Sequence, residues 1–126
     1  MSKSFTTPLI CALITALLVS ACAPRNQDPT QTQAAHQALS TQEDLLILDV
    51  RTAAEFAMGH LDGASHLPVS QLEERLKELP EDRGTPILVY CRSGGRSAQA
   101  KTILEAHGYT HVTDGGALES LRTPPK

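Results

Sequence analysis

Residues 87–97 read Ile87-Leu88-Val89-Tyr90-Cys91-Arg92-Ser93-Gly94-Gly95-Arg96-Ser97. The first four form a short apolar run, partly β-branched and opened by Pro86, which predicts a buried strand. From Arg96 to His107, Ala100, Ile103 and Leu104 recur at helical spacing and Gly108 supplies the stop. The loop between them joins the carboxyl end of a strand to the amino end of a helix, where open α/β sheets bind ligands. Gly94 and Gly95 let the backbone curl so that successive N–H groups point into one concavity. The helix start adds unpaired N–H groups and the positive end of its dipole. Arg92 and Arg96 add two permanent charges, and Ser93 and Ser97 supply hydroxyls. A cysteine at the mouth of such a nest has its thiolate favoured, and the thiolate is the nucleophile. The alternative, an inert structural cysteine, needs an apolar setting, whereas this loop is basic and polar.

Upstream, Leu45-Leu46-Ile47-Leu48-Asp49-Val50 is a nearly continuous apolar run, the pattern of a strand covered on both faces. Thr52 and Glu55 fit a capping box for a short helix through Met58, and Gly59 to Gly63 is turn chemistry. Ala64 to Leu67 is a weak strand candidate. Ser70 with Glu73 predicts a second capped helix, carrying Leu72, Leu76 and Leu79 and ended by Pro80. After the loop and its helix, His111-Val112-Thr113 is a last short strand, followed by Gly115-Gly116 and a final turn over Ala117 to Leu121. Strands alternating with helices at short intervals imply an α/β fold: a single domain over 44–126, with a parallel sheet flanked by helices on both faces.

Asp49 stands out as a carboxylate in an apolar strand, where it needs a partner. It either orders an arginine or loop N–H on the side of the Cys91 loop, or caps the next helix. Arg51 and Glu55, four residues apart, suit a surface ion pair of small worth. The five histidines do not fall at metal-ligand spacings, and no metal or cofactor is expected.

Residues 1–21 have the form of a targeting segment, with Lys3 in a positive leader and an apolar stretch from Leu9 to Val19. That stretch is too short to span a bilayer as a stable helix. Val19-Ser20-Ala21-Cys22 resembles the lipobox of bacterial lipoproteins, which implies cleavage before Cys22 and acylation of its thiol. Residues 22–43, rich in Gln, Thr, Ala and Pro, read as lipid anchor and flexible tether, with a marginal helix over Thr32 to Leu39. The expected location is the periplasmic side of the envelope, lipid-anchored to the membrane. Ala23 after the cysteine resembles outer-membrane sorting. The whole chain carries a formal charge of −3, and loss of Lys3 leaves 10 basic against 14 acidic side chains, or −4. That argues against nucleic acid as a partner. Of three cysteines, Cys11 leaves with the leader and Cys22 takes the lipid, so Cys91 alone remains as a free thiol.

Leu48-Asp49-Val50-Arg51, Glu55-Phe56, Gly59-His60-Leu61-Asp62-Gly63-Ala64 and Cys91 to Ser97, closed by Gly108-Tyr109, Val112 and Gly115-Gly116, together resemble the rhodanese family. The likeness covers 44 to about 121 and is nearest to small single-domain rhodaneses exported to the bacterial periplasm. The resemblance implies that Cys91 carries a sulfane sulfur as a persulfide and that Arg92, Ser93, Gly94, Gly95, Arg96 and Ser97 cradle it. Asp49 and Arg51 match the first family signature as supporting residues, and His60 to Ala64 match the second, whose role is structural. The implied activity is thiosulfate sulfur transfer to a thiol or cyanide by a monomer, with thiosulfate preferred to 3-mercaptopyruvate.

Two other readings stay open. Cysteine phosphatases and arsenate reductases share the loop-on-helix design, but place arginine six residues after the cysteine. Here that position is Ser97, with Arg96 one residue early. A persulfide carrier or binding module without turnover is the second alternative.

Overall fold

The computed structural model describes residues 28–123. Its strands are β1 (Leu46–Asp49), β2 (Ser65–His66), β3 (Ile87–Cys91) and β4 (Val112–Ala117). Its helices are α1 (Pro29–Thr41), α2 (Ala53–Ala57), α3 (Gly95–Ala106) and α4 (Leu118–Arg122). All strand pairings are parallel, in the order β2-β1-β3-β4. The expected α/β fold with a parallel sheet is thus the observed one.

β3 lies between β1 and β4 and is buried at every position. Its side chains alternate between two cores, as a pleated strand requires. Ile87, Val89 and Cys91 join Leu48 and Val50 beneath α3, where Ala100 and Leu104 close the packing. Leu88 and Tyr90 point the other way, against Ala35 and Ala38 of α1 and Leu118 and Leu121 of α4. Both faces are covered, which is why the strand reads as unbroken apolar sequence.

α1 corrects one expectation. The tether reading covered 22–43 with a marginal helix over Thr32 to Leu39; the helix is present and longer, over Pro29–Thr41, and it is docked, with Ala35 and Ala38 buried on β3 and β4. The Asp28 carboxylate accepts from the Thr30 N–H at 3.0 Å, and Pro29 occupies the first turn, where its missing N–H does no harm. His36 Nε2 meets the Ser120 carbonyl at 2.9 Å. Small alanines permit close packing where a large-residue stripe was absent, so composition alone looked like linker. Residues 1–27, including the leader and Cys22, lie outside the described residues.

The capped helix expected from Ser70 is the second correction. The segment forms two 3₁₀ turns, Val69–Gln71 and Leu76–Glu78, with no side-chain cap at either. The Arg75 N–H bonds both the Gln71 and Leu72 carbonyls, at 3.1 and 3.3 Å, mixing α and 3₁₀ patterns. Leucines spaced by three and four residues face one side in either geometry, so the pattern does not separate them. Leu72 and Leu79 are buried as a helix reading requires. The Thr52–Glu55 capping box, by contrast, is present in full at α2.

β4 runs further than expected, through Gly115 and Gly116. A Cβ on Gly115 would sit 3.1 Å from both Leu121 Cδ1 and the Val89 carbonyl oxygen. A side chain there would push α4 or β3 back by a few tenths of an ångström, so glycine suits this close approach.

Candidate active site

Cys91 ends β3 and α3 begins four residues later, so the loop is held at both ends by rigid elements. Gly94 takes φ +95°, a left-handed conformation open to glycine, and turns the chain into α3. That turn aims the Gly94 N–H at Cys91 Sγ, 3.0 Å away. In the thiol form Sγ faces Ser97 Oγ at 3.7 Å, and the Ser97 hydroxyl donates to the Gly94 carbonyl at 3.0 Å. Burial pushes the Cys91 thiol up. The N–H groups of Ser97, Ser93 and Gly94 and the Ser97 hydroxyl together outweigh that effect and leave it below its ordinary value. The nest read from the two glycines is therefore built, and its donors converge on the sulfur.

The arginines divide. Arg96 pairs with Glu55 of α2 through two contacts, Nη1–Oε2 at 2.7 Å and Nη2–Oε1 at 2.8 Å. It braces the loop against α2 instead of standing free in the mouth. Hydrogen bonds from Arg96, then from the Thr52 N–H, hold Glu55 far below the usual carboxylate range. Arg92 is exposed and makes no hydrogen bond or ion pair with the described residues.

The Arg51–Glu55 surface pair does not form, because each residue has a better partner. Arg51 turns inward to Asp49, donating from Nε at 2.9 and 3.0 Å, and from Nη2 to the Gly59 carbonyl at 2.7 Å. Asp49 also accepts from the Arg51 N–H at 2.9 Å and from Tyr90 Oη at 2.8 Å, and it is fully buried. Burial pushes the Asp49 carboxyl up, but the Arg51 and Tyr90 bonds bring it below its ordinary value. Burial, then the neighbouring Asp49 carboxylate, pushes Tyr90 up to about 12. Of the two readings of Asp49, ordering an arginine is the one observed; Thr52 caps α2. This cluster locks β1 to β3 just behind the loop, and Tyr90 Oη takes the Leu61 N–H at 3.1 Å to hold the 59–64 turn there too.

Beside the loop lies a cleft of about 530 Å³, walled by Ser93, Gly94 and Gly95, by Gln99 of α3, and by Asp28 and Asp114. Asp28 and Asp114 were not singled out in the sequence. The Asp28-Pro29-Thr30 helix start was the available signal for the first. Asp114 had none, since its place depends on how far β4 runs.

A parallel α/β sheet that presents a cysteine thiol to a nest of N–H groups at a helix start defines a domain built for nucleophilic sulfur chemistry. The chain belongs to the rhodanese-like family: the family model for the rhodanese-like domain matches residues 31–119. It is 36% identical over 77 residues to thiosulfate sulfurtransferase PspE of Escherichia coli, covering 61% of this chain and 74% of that protein. A sulfurtransferase of Allochromatium vinosum is 41% identical over 88 residues, covering 68% of this chain and 80% of the relative. A solved Escherichia coli rhodanese with anions superposes with a TM-score of 0.59 at 35% identity, over 64% of this chain and 94% of that one. The domain is a sulfurtransferase-type fold on both counts.

Proposed function

We propose that this protein is a thiosulfate sulfurtransferase in which Cys91 carries the sulfur. The observation that supports it most is the convergence of the Gly94 N–H and Ser97 on Cys91 Sγ at a helix start. The Cys91 thiolate attacks the outer sulfur of thiosulfate, a sulfur–sulfur bond forms, and the old one breaks with its electron pair leaving on sulfite. Loop N–H groups then hold the terminal sulfur anion of the persulfide. Cyanide or a thiolate attacks that sulfur, giving thiocyanate or a new persulfide and returning the pair to Cys91. Two half-reactions of this kind give ping-pong kinetics. The sulfurtransferase relatives favour this chemistry over phosphoryl transfer on the same loop design.

Mass spectrometry before and after thiosulfate is the test, with thiocyanate production from cyanide as the measure of turnover. One added sulfur, absent in Cys91→Ser, together with turnover supports the reading. Added sulfur without turnover would leave a persulfide carrier. No added sulfur would remove the assignment.

We also infer export and acylation at Cys22, on the strength of the Val19-Ser20-Ala21-Cys22 motif and the preceding apolar run. Wild-type protein should fractionate with membranes and Cys22→Ala should not. Wild-type protein wholly in the soluble periplasm would exclude it.

A further inference from the structure

α2 carries the Glu55 end of the loop clamp, yet none of its five residues is buried. A helix that short is not held by its own hydrogen bonds, so contacts from other elements decide where Glu55 stands. We propose that His66 of β2 is a positioning residue for the Cys91 loop, holding Arg51 and Phe56 on either side of the turn that sets Glu55 opposite Arg96. Its effect on turnover rests on the sulfur-transfer reading of Cys91; its effect on the thiol itself does not.

The grip of His66 has two parts. His66 Nε2 lies 2.9 Å from the Arg51 carbonyl oxygen, and because a carbonyl only accepts, that nitrogen bears the proton and donates. The same ring stacks with Phe56, the centroids 4.7 Å apart and the planes 27° from parallel. Aromatic pairs at such separations attract beyond the area they bury. Arg51 precedes the Thr52 cap and Phe56 follows Glu55, so one imidazole holds the chain on both sides of the capping box.

His66 is itself fixed to the sheet. It is the partner of Asp49 in the parallel β1–β2 register. Beyond it the Leu67 and Val69 N–H groups donate to the Asp49 and Val50 carbonyls at 3.0 and 3.1 Å. A continuous set of contacts therefore runs from β2 through Phe56 and Glu55 to Arg96, and so to the loop whose Gly94 N–H meets Cys91 Sγ. His60 makes only part of this grip. Its ring stacks on Phe56 at 3.7 Å and its Nδ1 donates to the Phe56 carbonyl at 3.0 Å, but it has no hold on Arg51.

Coupling through Glu55 separates a positioning role from a merely structural one. Full-length wild type is compared with His66→Ala, Glu55→Gln and the double variant. Sulfur loading of Cys91 by thiosulfate is followed by mass spectrometry, and the thiol by iodoacetamide alkylation against pH. His66→Ala should slow loading about threefold to tenfold, the range that a lost stacking contact covers. The alkylation inflection should move upward as the loop N–H groups lose their aim at the sulfur. In the Glu55→Gln background the same change should add less than about twofold, because the link through Glu55 is already cut. Phe56→Leu breaks the same chain of contacts and should repeat this pattern should His66→Ala fail to fold. His60→Ala should slow loading less than His66→Ala; an equal loss would overturn the assignment to His66. Additive losses in the double variant, or a lowered unfolding temperature with loading and inflection unchanged, would reduce His66 to a fold contact and overturn the proposal. Failure of wild-type protein to load sulfur would overturn the sulfur-transfer reading, and the alkylation cycle would still decide the positioning.

Discussion

The Arg96 guanidinium and the Glu55 carboxylate meet at two points, 2.7 and 2.8 Å apart, and so tie the start of α3 to α2 across the mouth of the cysteine loop. The same carboxylate accepts from the Thr52 N–H at 3.0 Å, so one side chain fixes two elements at once. Glu55→Gln keeps the cap and weakens the clamp. It should lower stability by about 1 kcal/mol, since solvent screens a pair this near the surface. Sulfur loading of Cys91 should slow several-fold as the loop loosens. Glu55 has a folded-state value below its ordinary 4.5, so its contribution is complete above that pH and lost as pH falls. The stability gap between wild type and Glu55→Gln, from urea unfolding, should therefore narrow below about pH 4. A gap independent of pH would show that the pair adds nothing.

Ser97 Oγ lies 3.7 Å from Cys91 Sγ. Its N–H and hydroxyl are among the groups that pull the Cys91 thiol down against burial. Ser97→Ala removes the hydroxyl alone and should move the thiol back up toward its ordinary value, so that less of it is thiolate at neutral pH. The rate of iodoacetamide alkylation against pH measures this directly. An inflection that does not move would assign the whole effect to backbone N–H groups.

Behind the loop, Asp49 and Arg51 are a buried, hydrogen-bonded ion pair. Asp49→Ala leaves the guanidinium unpaired in a dry setting and should cost about 3–5 kcal/mol. Tyr90→Phe orphans the Leu61 N–H and one Asp49 bond, for roughly 1–2 kcal/mol. Chemical denaturation at neutral pH is the measurement. Equal, small losses for the two variants would mean that the network is solvated.

The catalytic half of this molecule was legible in its sequence because local rules govern it. A strand ending in Cys91, glycines at the turn and a helix after them fix the loop without long-range help. Thr52 and Glu55 gave α2 its start for the same reason. What escaped depends on packing between distant segments. Glu55 and Arg96 are separated by 41 positions, and nothing local marks Glu55 as the partner of Arg96 over Arg51. The Leu72, Leu76 and Leu79 spacing fits a helix and tight turns equally. The helix expected over Thr32 to Leu39 is within α1, but its docking was not legible, because its buried face is made of alanine, whose burial only the opposing Leu118 and Leu121 reveal.

α1 supplies its own test. Ala35 is wholly buried against the sheet. Ala35→Asp places an unpaired charge in that interface and should lower stability on the order of 3 kcal/mol. The same change in a tether would be silent in thermal unfolding.

The choice of donor can be tested at Arg92. Arg96 is committed to Glu55, and Arg92 is exposed with no ion pair among the described residues, so under the proposed thiosulfate reaction it is the loop guanidinium placed to meet the charge that grows on departing sulfite. Thiosulfate is a compact dianion, so a charge-assisted contact in its transition state is worth on the order of 1.5–3 kcal/mol. Arg92→Ala should accordingly reduce kcat/KM for thiosulfate about tenfold to a hundredfold. Alkylation of Cys91 by neutral iodoacetamide, which needs only the thiolate and access to it, should change little. Arg96→Ala should behave differently: it releases the clamp, disturbs the nest and lowers both reactions together. With 3-mercaptopyruvate as donor the Arg92→Ala loss should be smaller, because less charge develops beside the loop. Equal losses in both reactions for Arg92→Ala, or faster turnover of 3-mercaptopyruvate than of thiosulfate by wild type, would show that the leaving anion is stabilised by the loop N–H groups alone.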